Sequence, residues 1–174
     1  SVTTRTAGFN AINISEMSEA SKAVMILLML IGGSPGSTAG GMKTTTIAVL
    51  FANAIAVFRK RQNANCYGRR IDDSTVKNAS AILFMYVFFS MLSAIIISIT
   101  DGISMQMGMF ETFSAIGTVG LTLGITPTLS AVSRFVLILL MFFGRVGGLT
   151  IIYAAFSQKD ASTLKYPMEN ITVG

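Results

Sequence analysis

The chain has 174 residues, 52% of them apolar and only 12% charged, a balance that excludes an ordinary water-soluble domain and points to a bilayer. The net charge of +5 is gathered in short segments, so it speaks to membrane topology rather than to nucleic acid. One cysteine, Cys66, and no histidine exclude an internal disulfide, a zinc site and a Cys/His nucleophile, and no other pattern suggests an enzyme.

The chain opens on Ser1 with no signal-like segment, and reads as a polypeptide that lacks an upstream portion. Its first element is Thr6-Ala7-Gly8-Phe9, followed by an apolar run. From Ala23 to Phe58, 36 residues carry Lys43 as their only charge. As one straight helix they would extend about 54 Å, far beyond a hydrocarbon core of ~30 Å. The helix must therefore break, at Gly32-Gly33-Ser34-Pro35-Gly36-Ser37-Thr38-Ala39-Gly40-Gly41. Such backbone survives at membrane depth only against protein or a watery cavity. Gly36-x-x-x-x-Gly41-Met42-Lys43-Thr44 nearly fits a phosphate-binding loop, but Met42 is one residue too many and no buried strand precedes it.

Arg59, Lys60, Arg61, Arg69 and Arg70 then form a basic cluster that the positive-inside rule places in the cytoplasm. A short loop wedged between spans does not suit nucleic acid. Ala79 to Thr100 is an uncharged stretch of 22 residues, enough for one transmembrane helix. Ile103 to Ser114 is amphipathic and too short to cross, and runs into Gly117-Thr118-Val119-Gly120, the pattern of a re-entrant pore loop. A third span is expected from about Val132 to Ser157, with Arg145 near its middle beside Gly144, Gly147 and Gly148, where it too should be distorted. A charge there is expensive, so Arg145 is expected to contact the glycine-rich loop across a cavity. Lys43 either serves similarly or faces the cytoplasmic vestibule. Glu16, Glu19, Asp101 and Glu111 fall on the external flanks, where they either raise the local cation concentration or are simply solvated.

Two of these stretches repeat. Adding 112 to each position from Thr6 to Gly32 gives Thr118 to Gly144 without a gap, and 10 of the 27 positions are identical. A duplicated Thr-x-Gly element tied to an apolar helix suggests a pore built from internal repeats. A potassium ion entering a narrow pore must shed water, and ringed backbone carbonyls can replace it. Glycine accepts the positive φ that turns carbonyls toward one axis, and the threonine hydroxyl braces the strand.

These residues carry a resemblance. Ser1-Val-Thr-Thr-Arg-Thr-Ala-Gly-Phe-Asn10, the loop from Gly33 to Thr46, Phe113-Ser-Ala-Ile-Gly-Thr-Val-Gly-Leu121 and Phe143-Gly-Arg-Val-Gly-Gly148 resemble the Ktr/Trk/HKT superfamily of potassium transporters. The match is nearest the membrane subunit of bacterial Ktr systems. It implies an all-α membrane protein with helix–pore loop–helix repeats around a central pore and a broken inner helix. Residues 1–58 would be the end of a third repeat, 59–77 a cytoplasmic basic loop, 78–157 the fourth repeat and 158–174 a cytoplasmic tail. Thr6, Ala7, Gly8, Thr118, Val119 and Gly120 would form two filter strands, with potassium at Thr6, Gly8, Thr118 and Gly120. Gly33, Ser34, Gly36, Ser37, Thr38, Gly40 and Gly41 would form a gate loop, with Lys43 and Arg145 associated.

The resemblance further implies potassium uptake in the bacterial plasma membrane, stimulated by sodium and driven by the membrane potential. The implied partners are membrane lipid, a second copy in a homodimer, a cytosolic ring of nucleotide-binding regulatory subunits and the upstream half of the pore. Nucleotide would enter only through that ring. The alternatives are a Trk-type subunit and a truncated, non-conducting scaffold or dimer partner.

Overall fold

A computed structural model describes residues 3–10, 13–37, 39–61, 64–66 and 69–147. Thr38, Gly148, the far end of the expected third span and the tail 158–174 lie outside the described residues. Five helices carry the described fold: α1 (Glu19–Leu30), α2 (Thr44–Phe58), α3 (Asp73–Asp101), α4 (Met105–Ile116) and α5 (Ala131–Val146). A two-residue hairpin, β1 (Asn65–Cys66) with β2 (Arg69–Arg70), turns the basic segment between α2 and α3.

The α3 helix has 29 residues and, among the described residues, is the helix long and apolar enough to cross a membrane. Gly102 stops it: in the left-handed region, it donates its N–H to the Ser98 carbonyl at 3.0 Å. One face of α3 is large and exposed, with Phe84, Phe88, Leu92, Ile95 and Ile99. This is the side a hydrocarbon solvent would cover. The buried residues mix large side chains, Met85, Tyr86 and Ile97, with small ones, Ala79, Ser90, Ser93 and Ala94. Small residues let backbones approach. A methyl group on Gly108 of α4 would lie 3.1 Å from the Ala94 carbonyl oxygen.

The α4 helix is the hub. From Phe110 to Ile116 every residue is buried, as expected of a helix surrounded by protein. It packs on α1, α3 and α5. On one side Ala115 and Ile116 join Tyr86, Ile97, Leu137 and Leu140 of α3 and α5. On the other, Phe110 and Phe113 join Ile26 and Met29 of α1. The amphipathic reading of this stretch therefore holds only for its first turn, because protein surrounds the rest.

The 112-residue repeat is reproduced element by element. A 3₁₀ turn at Ile14–Glu16 precedes α1, and one at Thr126–Thr128 precedes α5. Ser18 caps α1 by accepting from the Ser21 N–H, and Ser130 caps α5 by accepting from the Ser133 N–H, both at 3.3 Å. The copies part at the helix ends. After Leu30 the chain leaves α1, while α5 continues to Val146 and stops where Gly147 adopts φ 87°. Arg145 thus lies in the last turn of α5, which ends at Gly147, where the third span is expected to be distorted.

Candidate functional site

The Thr118–Gly120 segment leaves the C-terminal end of α4 in a tight turn. The Thr118 N–H donates to Ala115 O at 3.0 Å and the Val119 N–H to Ser114 O at 2.9 Å. In the first copy the Ala7 and Gly8 N–H groups both donate to Thr3 O, at 3.3 and 3.2 Å. Both copies alternate in backbone hand. Thr6 and Gly8 have φ 63° and 70°, Thr118 and Gly120 have φ 53° and 83°, and Ala7 and Val119 between them are not left-handed. For a β-branched threonine this conformation is rare and costs roughly 1–2 kcal/mol. Sequence reasoning assigned positive φ to the glycines alone; it had no signal for the threonines.

The two segments lie side by side. A side chain on Gly8 would begin 2.6 Å from the Val119 carbonyl oxygen. The Val119 carbonyl thus lies against Gly8, and the C-terminal end of α4, which leads into Thr118, carries a partial negative charge.

Outside these strands, the carboxylates do more than line a flank. Glu111 is only 5% exposed. It accepts from Thr122 Oγ1 at 2.6 Å, the Leu123 N–H at 3.0 Å and Thr126 Oγ1 at 3.0 Å. The reading of Glu111 as an external flank charge is corrected: it faces inward from α4 onto the chain that leaves Gly120. Asp101, at the end of α3, accepts from the Ser130 N–H at 2.8 Å and from the Ser133 hydroxyl, bracing the start of α5. Lys22 Nζ donates to Ser15 O at 2.9 Å, while Arg134, its counterpart in the second copy, donates to Pro127 O at 2.7 Å and Leu129 O at 2.9 Å.

Against the second strand sits the glycine-rich loop. Ile31 and Met42 form a parallel bridge that closes its base, with the Gly32 N–H on Met42 O at 2.7 Å and the Thr44 N–H on Gly33 O at 3.2 Å. Gly36, at φ 84°, marks its exposed tip. A turn from Ser34 to Ser37 and the Ala39 N–H on Ser37 Oγ at 3.1 Å shape the rest. Lys43 reaches back along the loop, donating to Ser37 O at 3.3 Å and to Ala39 O. Its ammonium is thus spent on loop carbonyls. Gly33, Ser34, Gly36, Ser37, Gly40 and Gly41 all belong to this loop.

Loop and strand touch. Gly40 is buried directly against the Thr118 side chain, where a methyl group would overlap it. Gly41 faces the Gly117 backbone and donates its N–H to Gly144 O at 3.4 Å. Gly144 in turn is pressed against the Ile116 carbonyl, leaving no space for a side chain. Arg145 follows Gly144 directly and its side chain is exposed. The structure thus brings together Thr6–Gly8, Thr118–Gly120 and the loop, with Lys43 on the loop and Arg145 one residue beyond its contact with α5.

A family model described as TrkH, cation transport protein, matches residues 1–164. The chain belongs to this family. It is a family of membrane cation transporters and not of enzymes. The chain is 39% identical over its whole length to the potassium/sodium uptake protein NtpJ of Enterococcus hirae, covering 40% of that protein. It is 36% identical to the Ktr system potassium uptake protein B of Bacillus subtilis, over 99% of the chain and 39% of that protein. The chain therefore spans about two-fifths of the length of the curated relatives it matches. The crystal structure of the potassium transporter TrkH from Vibrio parahaemolyticus superposes with a TM-score of 0.70 over 87% of this chain and 34% of that one, at 21% identity. That likeness bears on the fold, a predominantly helical one.

Proposed function

We propose that this TrkH-family chain is part of a potassium uptake pore, with Thr6–Gly8 and Thr118–Gly120 as two of its filter strands. One observation carries the reading: two matched strands of alternating hand abut each other directly above a glycine-rich loop seated on Thr118. Backbone carbonyls there can replace the hydration shell of a potassium ion at Thr6, Gly8, Thr118 and Gly120. The relatives named for potassium and for potassium/sodium uptake support potassium as the transported ion, with sodium as the second ion.

The loop of Gly33, Ser34, Gly36, Ser37, Gly40 and Gly41, together with Thr38, is the gate. It closes the pore by occupying the space below Thr118 and opens it by leaving. Lys43 ties the loop into its seated shape, and Arg145 adds a positive charge where the loop meets α5. The two strands of residues 1–58 and 78–157 are completed by further repeats of the same polypeptide. In the bacterial plasma membrane, 59–77 and 158–174 face the cytoplasm. There they meet a nucleotide-binding regulatory ring and a second copy of the transporter. The positive cluster of Arg59, Lys60, Arg61, Arg69 and Arg70 supports that orientation.

The test is rubidium uptake and potassium-limited growth in a transporter-deficient bacterium. It would express the complete in-frame polypeptide containing these residues, with Gly120→Ser beside the parent. Weak or sodium-permissive uptake by the variant is the expected result. Equal uptake by both, at equal membrane levels, would favour a scaffold role instead.

A further inference from the structure

The chain that leaves Gly120 is anchored to a buried carboxylate on α4. Glu111 accepts one hydroxyl and one amide on Oε1, from Thr122 and Leu123, and a second hydroxyl on Oε2, from Thr126. Thr122 Oγ1 also accepts from the Gly124 N–H at 2.9 Å and lies 2.8 Å from Thr126 Oγ1. One turn further along α4, Ser114 Oγ donates to Leu121 O at 2.6 Å. The segment from Leu121 to Thr126 is therefore laced to α4 at Leu121, Thr122, Leu123 and Thr126. In the first copy, Asn10 and Ile14 stand where Thr122 and Thr126 stand in the second. Isoleucine cannot donate, so the Thr126 bond has no counterpart at Ile14.

A carboxylate is removed from water at a cost unless its lone pairs are filled. Here three donors fill them, all from the strand. These bonds fix the strand's distance from α4. A cavity of about 410 Å³ lies between α4, this strand and α5, lined by Glu111, Thr118, Gly120, Thr122 and Met141 among others. Without the anchor the strand has room there to shift.

We propose that Glu111 is a positioning residue for ion selectivity: it holds the Gly120 strand at a fixed distance from α4 and so sets discrimination between potassium and sodium. The inference rests on the reading of Thr118–Gly120 as a filter strand. Discrimination by ringed carbonyls depends on their number and placement, and a site loosened by its supporting residues loses specificity first.

The experiment measures rubidium uptake against external sodium, per membrane-inserted protein, giving KM and Vmax for the complete polypeptide. In Glu111→Gln the amide oxygen still accepts from Thr122 and Leu123, so sodium competition should stay within about threefold of the parent. Glu111→Ala should lose discrimination at least about tenfold, with Thr126→Val between the two. Parental discrimination in Glu111→Ala would overturn the proposal. So would equal loss in Gln and Ala, which would assign the effect to charge rather than to bonds. If Glu111→Ala does not reach the membrane, the paired Thr122→Ala and Thr126→Val change decides from the strand side: tenfold loss supports the anchor and parental behaviour overturns it. A parent polypeptide that takes up no rubidium would instead overturn the filter reading itself.

Discussion

Gly40→Ala is the most direct test of the contact between loop and strand. The added methyl would lie within the Thr118 side chain, whose Cβ is only 2.9 Å from it. Thr118 cannot easily yield, since it is β-branched and already left-handed at φ 53°. An overpacked methyl costs about 1–3 kcal/mol, which shifts the ratio of seated to displaced loop by about 5- to 160-fold. If the seated loop closes the pore, the variant spends more time open. The expected result is a higher maximal rubidium uptake by the complete polypeptide, with sodium competition unchanged. Gly36→Ala is the control. It meets nothing within 4 Å at the loop tip, and its cost of about 1–2 kcal/mol for left-handed alanine leaves Thr118 untouched. Uptake in Gly40→Ala that is unchanged or lower, at equal membrane levels, would refute the loop as the barrier.

Three further outcomes are expected. Gly144→Ala drives a methyl into the Ile116 backbone carbonyl, which cannot rotate away, and should cost about 3 kcal/mol or more, read as loss of detergent-stable protein. Asp101→Asn weakens the brace on Ser130 and Ser133 and removes a negative charge beside the N-terminus of α5. A lower unfolding temperature is expected, with uptake per folded protein retained. Lys22→Arg should be tolerated because arginine already makes the equivalent bond in the second copy, whereas Lys22→Ala should lose about 1–2 kcal/mol in the same assay.

The positions of helices were legible because membrane solvation writes them plainly. Ala79 to Thr100 had to be helical, and Gly32 to Gly41 could not be, since lipid offers no partner to irregular backbone. The repeat gave the position of the strands, since identical residues at a fixed offset fold alike. Side-chain direction was harder. Glu111 read as a surface charge because sequence shows its sign and not the hydroxyls of Thr122 and Thr126 that surround it. Lys43 left two readings open, as the loop carbonyls that satisfy it belong to no motif. The burial of α4 on all sides also went unread: its sequence has an amphipathic period, and only its neighbours reveal that both faces are covered.

The bond from Lys22 to Ser15 O and that from Arg134 to Pro127 O each span seven residues, and neither pair keeps its residue identities. The acceptor is a main-chain oxygen, which every amino acid carries, so the partner was free to drift from serine to proline. The donor needed only a positive tip, so lysine and arginine served alike. What the duplication conserves is wiring rather than spelling. An identity count therefore understates how alike the two copies are. Sister units elsewhere in such a polypeptide would be found by a cation seven residues beyond a short turn, after their letters have ceased to match.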